Sequence, residues 1–156
     1  MAAPFSYEQA QRIAEVFSKY SVRYLFIGKS GAIILGFPDT TQDADLFVKK
    51  STENGQAIVS ALLDLGFPIT NAQQKEIERG KDFVQLRSGP FDLDLIFAPD
   101  GIETFEGAES RSLKVQGLPV CHIDDIIQSK EATNRVKDRE SLPRLKAFRE
   151  WWLINH

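Results

Sequence analysis

FIGKSGAIILGFPDTTQDADLF, residues Phe26 to Phe47, contains Gly28, Lys29 and Ser30 in the order that often closes a phosphate-binding P-loop. A P-loop needs a further glycine five residues before the Gly-Lys-Ser, and that position is Arg23. The residues between Arg23 and Gly28 are Tyr, Leu, Phe and Ile, which favour a strand and cannot wrap a phosphate with successive amides. A dinucleotide fingerprint fails too, because Ser30 and Ile33 stand where it requires glycines. What survives is a strand, a glycine that permits close backbone approach, and a helix start whose free N–H groups favour an anion. Lys29 and Ser30 are placed to assist there, and a tight turn with an exposed lysine is the plainer alternative.

Further along the same stretch, Asp43 and Asp45 are two apart on a run that alternates with Ala44, Leu46 and Val48. On a strand both carboxylates leave the same face and can reach one divalent ion. Like charges so close are costly without a cation or good hydrogen bonds. FDLDLIF repeats the pattern, with Asp92 and Asp94 on one face and Leu93, Leu95 and Phe97 on the other. One of this second pair can complete a three-carboxylate site if the strands are neighbours, and spacing does not choose between them. Aspartate is depleted in strands, so two acidic strands argue for a functional cluster.

The flanking sequence reads as alternating helices and strands. Ser6 and Gln9 form a candidate capping box ahead of an apolar stripe at Ala10, Ile13, Ala14, Phe17 and Tyr20. Residues 22–27 read as a strand, residues 30–35 as a helix, and residues 52–65 as a helix stopped by Gly66. KDFVQLR and FDLDLIF, joined by Ser88, Gly89 and Pro90, predict adjacent antiparallel strands. A small hairpin is expected around Gly117. Residues 123–152 read as two helices broken between Asn134 and Pro143, with Trp151 and Trp152 packing the ending onto the core. The expected fold class is α/β (α+β), a mixed sheet flanked by helices with a C-terminal helical segment.

With 156 residues and no low-complexity linker, one domain spanning 1–156 is expected. The net charge of −3 argues against a surface that holds long nucleic acid by electrostatics alone. The start lacks a basic segment followed by an apolar run, and apolar stretches are interrupted early, so a soluble cytoplasmic protein with no membrane association is expected. Cys121 is the only cysteine and reads as a partly buried thiol, while two histidines are too few for a histidine-based metal site. Between positions 130 and 149, seven basic residues face three acidic ones. Such a patch suits a triphosphate or an RNA backbone, and Arg144 and Lys146 read more simply as solvated helix positions.

Taken together, FIGKS, Gly36, TQDADLFV and the later FDLDLIF resemble the nucleotidyltransferases of the DNA polymerase beta superfamily, particularly small bacterial members related to toxin-antitoxin systems. LPVCHIDDIIQSKEATNRVKD resembles the helical segment that follows their catalytic half. The resemblance spans roughly residues 22 to 149. It implies Asp43 and Asp45 as metal ligands and catalytic residues, with Asp94 as the third carboxylate and Asp92 as its alternative. It implies Gly28, Lys29, Ser30, Lys130, Arg135 and Lys137 as nucleotide-binding residues. The implied cofactor is Mg2+, with Mn2+ as a substitute, and the implied substrate is an NTP. Transfer of a nucleoside monophosphate to a hydroxyl of protein, RNA or a small molecule would follow, with release of pyrophosphate. A noncatalytic protein of the same fold, acting through partner or nucleotide binding, is the alternative, and a cognate antitoxin is an implied partner. The chain departs from the family pattern at Lys29, where a second Gly or Ser is usual, at Gly31, where alanine is often seen, and at Asp39, where many relatives carry arginine.

Overall fold

The computed structural model describes residues 3–156. Helix α1 (Tyr7–Lys19) is followed by strand β1 (Tyr24–Ile27), helix α2 (Gly28–Leu35), strand β2 (Ala44–Val48) and helix α3 (Thr52–Leu65). Next come α4 (Asn71–Arg79), β3 (Phe83–Leu86), β4 (Leu93–Ile96), α5 (Phe105–Arg111), β5 (Leu113–Val115) and β6 (Leu118–Val120). Helices α6 (Ile123–Thr133) and α7 (Val136–Asn155) end the chain.

The strands form one six-stranded sheet in the order β3-β4-β2-β1-β6-β5. β2 runs antiparallel to β1 and parallel to β4, β3 is antiparallel to β4, and β6 is parallel to β1. The sheet is therefore mixed, as expected from the sequence. Its two central strands are apolar on both faces, because helices cover both sides. Leu25, Phe26, Leu46 and Val48 are all buried, and Phe47 meets Phe105 of α5 edge to face at 5.2 Å. Only the end of β2 that carries Asp45 is left partly open.

Several boundaries follow from where backbone hydrogen bonds go. Ser6 caps α1 by accepting from Gln9 N–H at 3.2 Å, but the Gln9 side chain donates to Pro4 O, so the capping box is half formed. β1 starts at Tyr24 and not at Val22, because Val22 N–H still closes α1 by donating to Phe17 O at 2.9 Å. α3 has the bounds expected from its stripe and ends at Gly66, whose φ of 97° lies in the left-handed region. Its buried Asn54 ties the residue before β1 to the residue after β2. The side chain donates to Arg23 O (3.1 Å) and Lys49 O (2.8 Å) and accepts from Arg23 N–H (2.9 Å).

Two helices were not anticipated. α4 buries only Ile77 and is held by a complete Thr70/Gln73 capping box, while the seven-residue α5 buries only Phe105 and Ala108. So little apolar periodicity leaves no stripe to read. At the C-terminus the helix break is confined to Asn134 (φ 54°) and Arg135. Pro143 lies inside α7 and does not end it. An interior proline costs about 3 kcal/mol, and burial of Leu145, Phe148 and Trp152 offsets this. Trp152 packs against His122 at the start of α6, but Trp151 is 54% exposed and so does not seal the ending. Among the described residues no helix is long and apolar enough to cross a membrane.

Candidate functional site

β1 passes into α2 with no loop between them, and Gly28 is the first helical residue. Its φ of 64° is unfavourable for other residues, and a Cβ there would lie well inside 3.0 Å of the Asp45 carboxylate. The turn is thus closed against β2 by Gly28 itself. Ser30 fixes the same junction. It is fully buried, donates to Ile27 O at 3.0 Å and accepts from Asp45 N–H at 3.0 Å. Its hydroxyl is spent on the scaffold and does not line the cleft.

Parallel pairing of β2 with β4 sets Asp45 directly opposite Asp94, while Asp43 sits one residue before β2 begins. Asp43, Asp45 and Asp94 each offer a carboxylate oxygen, and these oxygens all lie within 4.8 Å of one another. Asp94 is 5% exposed and Asp45 is half-buried. Asp92 stands outside this group, and its carboxylate accepts from Gln42 Nε2 at 3.4 Å. The second acidic strand therefore brings Asp94, and not Asp92, to the first.

Burial beside neighbouring negative charge raises the affinity of Asp45 and Asp94 for protons. Burial first, then the charge of Asp94 and hydrogen bonding to it, push Asp45 up to about 8. Asp94 is raised as well, chiefly by burial, with Arg87 opposing the shift. Arg87 was not singled out from the sequence. It follows Val84 and Leu86, the buried positions of β3, so its side chain shares the outward face of Phe83 and Gln85. Register pairs Gln85 with Asp94, which brings Arg87 to the acidic end. Arg87 Nη1 lies 2.8 Å from Asp94 Oδ1, and Nη2 lies 3.3 Å from Asp43 Oδ2. The first contact is an ion pair without hydrogen-bond alignment, since Asp94 Oδ1 accepts no hydrogen bond.

A cleft of about 450 Å³ opens over the carboxylates. Gly28 and Lys29 line it on the α2 side, Phe83 and Gln85 on the β3 side, and Lys130 and Lys137 on the side of α6 and α7. Arg135 also lines it. Lys130 has a side chain only 12% exposed, and burial lowers its pKa against the opposing pull of Asp138 and Asp45. Asp138, 1% exposed, accepts from Arg135 Nε at 2.9 Å and lies 3.5 Å from Lys130 Nζ. Burial by itself would raise Asp138, but the Arg135 hydrogen bond and the Lys130 charge outweigh it and hold the acid below its ordinary value. This acid was also missed, although it lies within the RVKD stretch.

Lys29 is tied back from the helix start. Its Nζ lies 3.4 Å from Asp39 Oδ2, and Arg144 Nη2 reaches the same oxygen at 3.4 Å. The Thr40 N–H, followed by the Lys29 and Arg144 charges, lowers the Asp39 pKa. Arg144, with a side chain 56% exposed, also lies over the Phe37 ring at 5.2 Å. Lys146 pairs with Glu131 at 3.5 Å on the exposed surface.

No protein-family model matches the chain, and no curated protein matches it. Among solved structures, the chain is similar to a Thermotoga maritima protein described as a "putative nucleotidyltransferase". The TM-score is 0.57 at 15% identity, and the match covers 96% of this chain and 92% of that one. The likeness is one of fold. This chain has a nucleotidyltransferase-like α/β fold, with a mixed six-stranded sheet flanked by seven helices among the described residues.

Proposed function

We propose that the protein is a metal-dependent nucleotidyltransferase, which moves a nucleoside monophosphate from an NTP to a hydroxyl acceptor. The observation that carries this reading is the convergence of Asp43, Asp45 and Asp94 at the floor of a cleft walled by Lys130 and Lys137. The three side chains offer only oxygen donors, the choice of a hard cation such as Mg2+ or Mn2+. Burial together with the neighbouring carboxylate charges raises the affinity of Asp45 and Asp94 for protons, and Asp94 Oδ1, which accepts no hydrogen bond, has the Arg87 guanidinium as its ionic partner. The residues present fit a divalent ion.

Bound there, the ion supplies Lewis-acid chemistry, neutralising phosphate charge and acidifying an acceptor hydroxyl. Asp43, Asp45 and Asp94 would hold it. The basic side of the cleft, Lys130, Lys137 and Arg135, would bind the triphosphate, with Gly28 and Lys29 at the helix start approaching its tail. The acceptor oxygen would attack the α-phosphorus in line as the bond to the β-phosphate oxygen breaks, so pyrophosphate leaves. Asp94 would take the acceptor's proton.

The ion pairing of Arg87 with two of the three carboxylates favours a second reading, a noncatalytic protein of this fold that binds nucleotide or a partner. The toxin-antitoxin relation, with a cognate antitoxin, belongs to the proposal as the implication of the sequence resemblance, and a cytoplasmic setting belongs to it from the interrupted apolar runs of the sequence. Transfer of α-labelled NTPs to pooled RNA and protein, with Mg2+ or Mn2+, tests the main reading. Label retained by the wild type and lost in Asp43→Asn/Asp45→Asn supports transfer. No transfer by a folded protein, alone or copurified with a partner, supports the noncatalytic reading.

A further inference from the structure

Arg87 directly follows β3, the edge strand, and its side chain is 39% exposed while it pairs with the carboxylates. Its two terminal nitrogens go to different acids, Nη1 to Asp94 and Nη2 to Asp43. The guanidinium therefore spans a gap between two side chains that have no other ion-pair partner among the described residues. An ordinary surface arginine gains little from one exposed carboxylate. Here one partner is buried and both belong to the cluster that lacks countercharge.

We infer that Arg87 is the resident cation of the carboxylate cluster, a positioning residue that competes with divalent ions for Asp43 and Asp94 and so sets the affinity of the site for metal. The inference rests on the reading of the cluster as a metal site. With Arg87 in place, the three carboxylates are one positive charge closer to neutrality, and a divalent ion entering between Asp43 and Asp94 displaces the guanidinium or is repelled by it. Because the side chain is half-exposed and flexible, it has water to move into. Metal loading and release of Arg87 are then one event. The freed guanidinium remains beside the carboxylates, and its planar fork of donors suits phosphate oxygens.

The test uses Mn2+ alone as the probe, without nucleotide, in full-length wild type, Arg87→Gln, Arg87→Lys and Asp45→Asn. Free Mn2+ is read by electron paramagnetic resonance, and the thermal upshift on adding Mn2+ is read in parallel. Removal of a unit positive charge in contact with the site predicts Mn2+ binding about tenfold tighter in Arg87→Gln. Arg87→Lys should fall between the two, since it keeps the charge but loses the two-pronged geometry. Structural damage alone would weaken binding, so the direction separates the two causes. Asp45-dependent Mn2+ binding that is unchanged or weaker in Arg87→Gln overturns the inference and leaves the metal reading standing. Mn2+ binding that is absent from every variant, or indifferent to Asp45→Asn, overturns both.

Discussion

Gly28 and Asp45 approach so closely that a single added methyl group on Gly28 would overlap the Asp45 carboxylate. The contact joins the first residue of α2 to the strand that carries Asp45 and follows directly on Asp43, and the Ser30 hydroxyl locks it by accepting from Asp45 N–H. The helix start and the carboxylate cluster are consequently one unit.

Substituting Gly28→Ala imposes both a positive φ and the overlap. The backbone strain alone costs about 1–3 kcal/mol, and relief of the overlap must move the Asp45 carboxylate. Loss of stability together with a more than tenfold fall in nucleotide transfer is expected. Gly66→Ala is the comparison. Its φ of 97° carries strain, but no atom lies within 4 Å of the added carbon, and α3 ends away from the cleft. Gly66→Ala should lower the melting temperature and leave transfer intact. Equal effects of the two substitutions on transfer would show that the Gly28–Asp45 approach has no functional role.

The strand-glycine-helix start and both acidic strands were legible because each depends on local pattern, an apolar run ended by glycine or an alternation that puts aspartates on one face. The choice of Asp94 over Asp92 was not legible from spacing, because it depends on the parallel register of β2 with β4. Arg87 was hidden for a similar reason. Its place follows from the antiparallel register of β3 with β4, which pairs Gln85 with Asp94 across the hairpin. Ser30 was read as a phosphate contact, yet it is buried and bonded to backbone, since a serine at a helix start can serve the scaffold as readily as a ligand. α4 and α5 were missed because their stability comes from caps and one or two buried side chains, with no stripe to see.

The protonation of Asp45 gives the cation-free fold a pH dependence of unusual sign. In the unfolded chain an aspartate titrates near pH 4, whereas burial and the neighbouring Asp94 charge push Asp45 up to about 8 in the fold. Between those values the native state binds more protons than the unfolded state, so this group makes stability fall as pH rises. Asp94 shifts in the same direction. Asp45→Asn should abolish most of that slope and raise the melting temperature at pH 8 by roughly 3–6 °C, the shift expected of about 1–2 kcal/mol in a domain of this size. Mg2+ should stabilise the wild type more at pH 8 than at pH 6, because binding must displace fewer protons. Melting curves at the two pH values, with and without Mg2+, check both statements. A wild type equally stable at both pH values, and unaffected by Asp45→Asn, would contradict them.

Asp138 poses the opposite electrostatic problem on the far wall of the cleft. It is 1% exposed and serves both Arg135 and the largely buried Lys130. Asp138→Ala leaves Lys130 in a poorly hydrated position with no paired carboxylate on α7, a change of the kind that costs about 3 kcal/mol when one partner of a buried pair is removed. A loss of about 2–4 kcal/mol in urea unfolding is expected. Replacing both partners, Asp138→Leu with Lys130→Met, should restore a large part of it, because the penalty lies in stranding a charge more than in losing attraction. Lys146→Ala breaks only the exposed pair with Glu131 and should cost about 0.5 kcal/mol or less. Because the Asp138 pKa is held below its ordinary value in the fold, its contribution is complete above the ordinary carboxylate range and is lost as pH falls through its folded value. The Asp138→Ala deficit should therefore shrink toward acid pH. A deficit that is constant from neutral pH down to pH 3 would mean that packing, and not the ion pair with Lys130 and Arg135, is what Asp138 contributes.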